Sequence, residues 1–117
     1  MHGTLLDDVI SAVIADVLKP ASESIYGFYE KPPGRRPSDQ TKRISAAIAL
    51  LEKQAAVEII RDVVDRTIFS MLYLMDAEFK EYHIETIFRS HADGKAVTAQ
   101  QLLDRYRSKV DPGGIIV

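Results

Sequence analysis

Acidic and aromatic side chains form a strip near the middle of the chain, and these residues are the best placed to do chemistry. They recur at steps of three or four residues, in the order Glu58, Asp62, Asp65, Phe69, Tyr73 and Asp76, with Glu78 close behind. A helix would place such a series along one side. Carboxylates that share a pocket could act as acids and bases, whereas an open acidic strip would attract a basic partner.

Two interpretations of the strip are open. In the first, its beginning is a solvated flank that Arg61 and Arg66 partly neutralise, and Phe69 and Tyr73 dip under a neighbouring helix. In the second, the strip is a docking surface for a basic partner, because aromatic side chains are enriched at interface cores and matching charge orients docking. The second interpretation predicts these partner-binding residues: Glu58, Asp62, Asp65, Tyr73, Asp76 and Glu78.

Motifs for catalysis and cofactor binding are missing. No serine lies in a GxSxG or SxxK pattern, and GRRPSD lacks the spacing of a phosphate-binding loop. His83 and His91 belong to no ExxH or HExxH motif, and the chain has no cysteine. We therefore predict no catalytic residue, no metal site and no cofactor, in a protein that is not an enzyme. The less favoured alternative is an enzyme whose carboxylate site combines Asp62, Asp65 and Asp76.

Basic residues cluster at Arg35, Arg36, Lys42 and Arg43, beside a predicted helix start. Residues 35–66 hold seven Lys and Arg against five Asp and Glu, an excess of two positive charges. Nucleic-acid sites usually combine a stronger basic patch with stacking aromatics, which are not interleaved here. We expect a solvated loop, and the alternative is contact of these four residues with a phosphate or an acidic partner.

The composition is that of one globular domain. At 117 residues and 46% hydrophobic content, the chain is long enough to bury a core. Its net charge of −2 favours neither nucleic acid nor an anionic membrane as a general partner. Asp7, Asp8 and Asp16 interrupt the first apolar run, which is unlike a signal peptide. We therefore expect a single helical domain over 1–117, located in the cytoplasm.

The longest apolar pattern, at about 57–79, predicts the central helix of the fold. Apolar residues recur at helical spacing from Val57 to Phe79, and 68–75 is apolar on nearly all sides. A helix of that kind is usually surrounded by other elements, and this one is shorter than the roughly 20 apolar residues that a bilayer requires. The pattern predicts an all-α fold, a compact bundle of four to five helices around this helix, with 67–79 as its most buried part.

The first third of the chain predicts a helix followed by a loop. Thr4 is placed to cap that helix, and Pro20 should close or kink it. Residues 21–30 are ambiguous between a helical and an irregular segment. Three prolines, a glycine and two arginines then predict a loop at 31–39.

Ser38 or Asp39 is placed to cap a second helix. No proline or glycine occurs between Pro37 and Gly94, yet one helix over that span would be roughly 80 Å long at about 1.5 Å per residue. The chain must therefore turn, and we expect turns near 53–56 and 78–82. Whether 39–79 is one kinked helix or two stays open.

Residues 82–91 fit both helix and strand. Their apolar residues have helical spacing, but Tyr82, Ile84, Thr86 and Phe88 also alternate like a strand. Because no second strand is evident nearby, we predict helix. Thr98 and Gln101 then form a capping-box pattern for a last helix. The apolar tail at 113–117 should fold back over the core, or else contact a second copy.

Residues 63–76, VVDRTIFSMLYLMD, place an Asp before an apolar segment and another Asp after it. This stretch resembles the core helix of small all-helical immunity proteins from bacterial toxin–immunity systems, including those of contact-dependent growth inhibition. The resemblance covers about an eighth of the chain and transfers no functional residue. It implies a stoichiometric inhibitor that binds a cognate toxin domain and blocks its active site.

Three functional hypotheses follow from the sequence. The leading one is a small non-catalytic protein-binding domain, in its specific form an immunity protein that neutralises a toxin. The alternative is a self-associating structural or regulatory module, a homodimer that pairs through the central helix and the apolar tail. The carboxylate enzyme is the third.

Overall fold

Four continuous helices make up most of a computed structural model, which describes residues 4–34 and 36–117. Helix α1 runs Leu5–Val13, continues through a π-helical turn at Ile14–Leu18 and ends as Lys19–Glu30. Helix α2 is Asp39–Ala49, and α4 is Ala99–Lys109. Helix α3 runs Lys53–Tyr73, continues through a second π-helical turn at Leu74–Glu78 and ends as Phe79–Glu81. The predicted all-α bundle of four to five helices is confirmed. In the part of the chain described, no helix is both long and apolar enough to cross a membrane.

Helix α1 begins where its cap predicts but does not end at Pro20. The Thr4 hydroxyl accepts the Asp7 N–H at 3.2 Å, and the helix continues to Glu30. A proline inside a helix lacks an N–H, and its ring crowds the preceding turn. The π turn lies directly before it, with the Lys19 N–H bonded to the Ile14 carbonyl, and such widened turns are common where a helix is interrupted.

Residues 39–79 form two helices. Ser38 caps α2 by accepting the Thr41 N–H at 3.1 Å. The chain turns at 50–52, slightly before the expected 53–56, and α3 starts at Lys53. No Gly or Pro marks this break. The turn allows both α2 and α3 to pack against the second half of α1. The end of α3 at Glu81 lies within the expected 78–82.

A β-hairpin occupies much of the region where 82–91 was predicted as helix, so that prediction is wrong. Strand β1, Ile87–Arg89, pairs antiparallel with β2, Ala96–Thr98, and Phe88 lies opposite Val97. The hairpin turn closes through the Ser90 N–H, which bonds the Lys95 carbonyl at 2.8 Å. The partner strand is hard to recognise because it has only three residues and its last residue, Thr98, also caps α4 through the predicted capping box.

The C-terminal tail folds back as a second hairpin. Strand β3, Val110–Asp111, pairs with β4, Ile115–Ile116, and the Val117 N–H bonds the Lys109 carbonyl. The tail does not cover the core with its own side chains, because Ile115, Ile116 and Val117 are exposed.

The core joins both ends of the chain to the middle of α3. Its buried apolar cluster draws on α1, α3, β2, α4 and β3, and consists of Ile10, Leu18, Leu72, Val97, Leu102, Tyr106 and Val110. Only Leu72 is buried within the apolar stretch 67–79, so the prediction that this stretch is the most buried part of the fold is wrong. One side of α3 therefore faces the core, and another apolar side faces outward.

Candidate protein-binding face

Asp65 is the most enclosed of the predicted site residues that the structure describes. Its side chain is 1% exposed. Tyr106 donates its hydroxyl to Oδ1 at 2.6 Å, Arg107 donates to both carboxylate oxygens at 3.0 and 3.2 Å, and the Gly113 N–H donates to Oδ2 at 3.3 Å. A buried carboxylate is tolerated when donors of this kind satisfy it. Asp65 therefore holds the fold together, and its buried side chain is not placed for the direct contact with a partner that the sequence predicts.

Two of the side chains that bind Asp65 have further features that stabilise this site. The Arg107 guanidinium lies over the Phe69 ring, 4.5 Å from its centroid, and also donates to the Val110 carbonyl. Burial raises the pKa of the Tyr106 hydroxyl, and the hydrogen bond to Asp65 raises it further. Because Tyr106 and Arg107 belong to α4 and Gly113 to the C-terminal turn, their hydrogen bonds to Asp65 form a clamp that connects these two segments to α3.

Asp62 and Asp76 lie nearer the surface, and each is paired within its own helix. Arg66 donates to both oxygens of Asp62 at 3.2 and 3.0 Å, and Lys80 lies 3.2 Å from Asp76, whose side chain is 17% exposed. These ion pairs reduce the negative charge predicted for the strip.

The three carboxylates of the enzyme hypothesis are not brought together. Asp62 and Asp76 are separated by roughly 21 Å along α3, at about 1.5 Å per residue. Asp62 and Asp65 border one depression together with Arg66 and Arg107, and each carboxylate is already bonded to one of these cations. The arrangement suits ion pairing rather than proton transfer.

Glu58, Tyr73 and Glu78 are the predicted partner-binding residues that do face outward. Glu58 accepts a hydrogen bond from the Gln54 side chain at 3.3 Å. The Tyr73 ring stacks on Phe69 with 6.4 Å between centroids. Glu78 borders a shallow apolar groove of about 370 Å³ beside Tyr73 and Leu74. Glu58 lines a separate depression with Glu52 and Arg61, whereas Tyr73 and Glu78 lie at an apolar surface that the acidic strip does not describe.

That surface is the outer face of α3, which we define as the exposed side chains Ile59, Val63, Thr67, Ser70, Met71, Tyr73 and Leu74. Ile59, Val63 and Met71 are 54%, 56% and 52% exposed. The Thr67 hydroxyl donates to the Val63 carbonyl at 2.8 Å, so the hydrogen-bond donor of this side chain is satisfied within the helix. Arg66 is also exposed on this helix, next to Thr67, and its charge is balanced by its ion pair with Asp62.

The sequence pattern of α3 predicts an apolar surface but does not show what covers it. An apolar surface all round a helix is typical of burial, and burial by another molecule produces the same pattern as burial by the protein's own helices. Nothing in the residue types distinguishes the two cases.

The basic cluster lies on the loop and on α2. Arg35 is outside the described residues, and Arg36, Lys42 and Arg43 are exposed. None of these last three has a side-chain hydrogen bond or an ion pair within residues 4–34 and 36–117. His83 and His91 are exposed as well, and the described residues contain no grouping of three or more His, Asp or Glu suited to a metal ion.

No protein-family model, curated protein or solved structure matches the chain.

Proposed function

We propose that this chain is a non-catalytic protein-binding domain whose partner docks on the outer face of α3. The observation that carries the proposal is the row of exposed apolar side chains from Ile59 to Leu74. Contiguous apolar surface on a small domain commonly marks an interaction site. Tyr73 and Met71 belong to residue types that are enriched at interfaces.

An immunity protein that neutralises a toxin domain is the more specific form of this proposal. It is supported by the resemblance of 63–76 to such proteins, and by the exposure of Glu58, Tyr73 and Glu78 on α3. Its test is co-purification with the product of the adjacent gene. We expect a one-to-one complex that elutes as one species and in which the toxin activity is lost; separate elution of the two proteins would contradict it.

The docking face is tested with Val63→Glu, which places a carboxylate in the middle of the apolar row. Because Val63 is exposed, the free energy of unfolding should change by no more than about 0.5 kcal/mol. Tagged wild-type protein from its native host should retain a stoichiometric partner, identified by mass spectrometry, which Val63→Glu loses. Ala47→Glu, at an exposed position of α2, is the matched control and should retain it. Equal recovery of the same partner by Val63→Glu would exclude this face.

Self-association is the second candidate function. The exposure of Ile115, Ile116 and Val117 favours it, because this apolar tail would be covered in a dimer. Sedimentation velocity over a wide concentration range decides it. A dimer that Val63→Glu or removal of 115–117 dissociates would support self-association, whereas a concentration-independent monomer would exclude it.

A further inference from the structure

We propose that the occupant of the outer face is a basic amphipathic helix of another protein, with positive charges at both ends of its apolar stripe. This inference rests on the proposed function, since it names the partner of the same face.

The shape of the face suits a helix. Its apolar side chains lie on one continuous helix and span roughly 22 Å from Ile59 to Leu74, at about 1.5 Å per residue. A shallow groove runs beside Phe69, Met71 and Leu74, and the small Ser70 lies in the same row and allows close approach. Helices dock in such grooves through apolar side chains at steps of three and four residues.

The charges around the face indicate a basic partner. Exposed carboxylates lie beyond both ends of the apolar row: Glu52 and Glu58 before it, and Glu78 and Glu81 after it. Within residues 4–34 and 36–117, none of the four forms an ion pair, and the nearby cations Lys53, Arg66 and Lys80 are each paired with another carboxylate. Arg61 lines one depression with Glu52 and Glu58, so these four carboxylates exceed the one remaining nearby cation and leave a net negative rim. Net charge at the rim of an apolar face favours a partner of opposite charge.

The same charges disfavour a second copy of this chain. An antiparallel pair through the outer face would bring Glu58 of one copy towards Glu78 of the other, and a parallel pair would bring each carboxylate towards its equivalent. Like charges that face each other across an interface are unfavourable.

A designed peptide tests the inference without knowledge of the natural partner. The probe is a fluorescein-labelled helical peptide of about 22 residues, which spans the roughly 30 Å between Glu58 and Glu78. It carries a Leu/Ala apolar stripe and two lysines at each end. The controls are the same peptide with glutamates for lysines, and a scrambled peptide of equal composition without an apolar stripe. Fluorescence anisotropy measures binding to the full chain at low and raised salt.

We expect the lysine peptide to bind at least about tenfold more tightly than either control, with an affinity that falls as salt increases. The double variant Glu58→Gln/Glu78→Gln should remove most of that difference, and Ile59→Glu or Val63→Glu should abolish binding. The Ala47→Glu control should bind like wild type.

Failure of the inference and failure of the proposed function give different results. Equal binding of the lysine and glutamate peptides, abolished by Val63→Glu, would overturn the basic partner and keep the face. The inference would also be overturned if Ile59→Glu and Val63→Glu bound the lysine peptide as tightly as wild type, or if no peptide bound at all. In those cases the recovery of the native partner by wild type and Val63→Glu decides whether the outer face is a docking site. A dimer that Val63→Glu dissociates would overturn it in favour of a second copy.

Discussion

At the scale of single residues, one carboxylate holds three parts of the fold together. Asp65 on α3 accepts hydrogen bonds from Tyr106 and Arg107 of α4 and from the backbone of Gly113. A buried ion pair adds little or no net stability compared with a well-packed apolar pair, but removal of one partner leaves the other without compensation. Asp65 should therefore tolerate substitution much less than the other acids of α3.

Asp65→Asn should lower the free energy of unfolding by roughly 3 kcal/mol, because Arg107 loses its charged partner at a site that is mostly buried. Asp62→Asn is the matched control on the same helix. It removes an exposed pair with Arg66 and should cost less than about 1 kcal/mol. Urea unfolding followed by circular dichroism measures both values, and an equal loss in the two variants would contradict the clamp.

Tyr106→Phe should change how stability depends on pH. The pKa of Tyr106 is raised in the folded state by burial and by Asp65. The hydroxyl therefore contributes fully to the free energy of unfolding below the unfolded pKa of about 10. That contribution is lost as the pH rises from about 10 towards the higher folded value. The wild-type protein should lose stability on this alkaline side faster than Tyr106→Phe does. Parallel curves for the two proteins up to pH 11 would show that the hydroxyl does not titrate differently on unfolding.

Sequence alone could not separate Asp65 from its neighbours. Asp62, Asp65 and Asp76 occupy the same strip at the same helical steps, and their different roles arise from partners that are distant in sequence. Arg107 lies on a helix that begins more than thirty residues after Asp65. Residue type and spacing identified the strip, but only the tertiary contacts show which acid is inside.

At the scale of elements, the C-terminal hairpin is fitted closely against α3. Gly114 is buried with a φ of +79°, and a Cβ atom there would lie 2.6 Å from Cγ of Arg61 and 3.2 Å from its carbonyl oxygen. The neighbouring Gly113 has a φ of +90° but open space around the corresponding position. Substitutions at the two positions therefore distinguish the cost of backbone strain, which both share, from the cost of close packing, which applies at Gly114.

Gly114→Ala should be less stable than Gly113→Ala, although both variants place alanine in a left-handed backbone conformation. The shared strain costs roughly 1–2 kcal/mol, and Gly114→Ala adds a clash with Arg61 of at least about 1 kcal/mol. Thermal and urea unfolding of the two variants give the difference directly. Equal stabilities would mean that the hairpin does not pack on α3 as described.

The second half of α1 contains a buried polar atom without a hydrogen-bond partner among the described residues. Ser22 is fully buried, and within the described residues its hydroxyl has no hydrogen-bond partner. Ser22→Ala should therefore raise the free energy of unfolding by about 1 kcal/mol, because it removes the cost of burying an unpaired hydroxyl. Ser24→Ala changes an exposed serine of the same helix and accounts for helix propensity. The prediction fails if the two variants have the same stability.

Local caps made the helix starts predictable. Thr4, Ser38 and the Thr98–Gln101 box each begin a helix as their side-chain chemistry predicts. The ends of helices were harder to predict, because the turn at 50–52 has no Gly or Pro and the π turn allows α1 to continue past Pro20. The hairpin was missed since its second strand is only three residues long.

At the scale of the whole molecule, the fold is longer than its size requires. Its radius of gyration is 17.4 Å and its longest extent 48 Å, whereas a compact domain of this length has a radius of about 13 Å. The helical class follows from periodicity, but the arrangement that leaves the outer face of α3 uncovered does not. Periodicity reports that a surface is apolar and cannot report which molecule covers it.

The elongated shape predicts unequal stability along the chain. Helix α2 has no buried residue and packs mainly against the second half of α1, with one cross-link in which the Ser45 hydroxyl donates to the Tyr29 carbonyl at 2.7 Å. The middle of α3 and α4, by contrast, hold Leu72, Leu102 and Tyr106 of the core. Elements with few buried contacts open by local unfolding, at a lower free energy than the whole domain.

Hydrogen exchange followed by mass spectrometry should therefore resolve two levels of protection. Amides of 41–49 in α2 should exchange at least about tenfold faster than those around Leu72 and Tyr106, because α2 has no fully buried residue and its local opening exposes less apolar surface than opening of the core. Ser45→Ala removes the cross-link to Tyr29 and should speed exchange in α2 without changing it in α4. Exchange of α2 at the rate of α4 would show that α2 unfolds together with the core, and it would contradict this prediction.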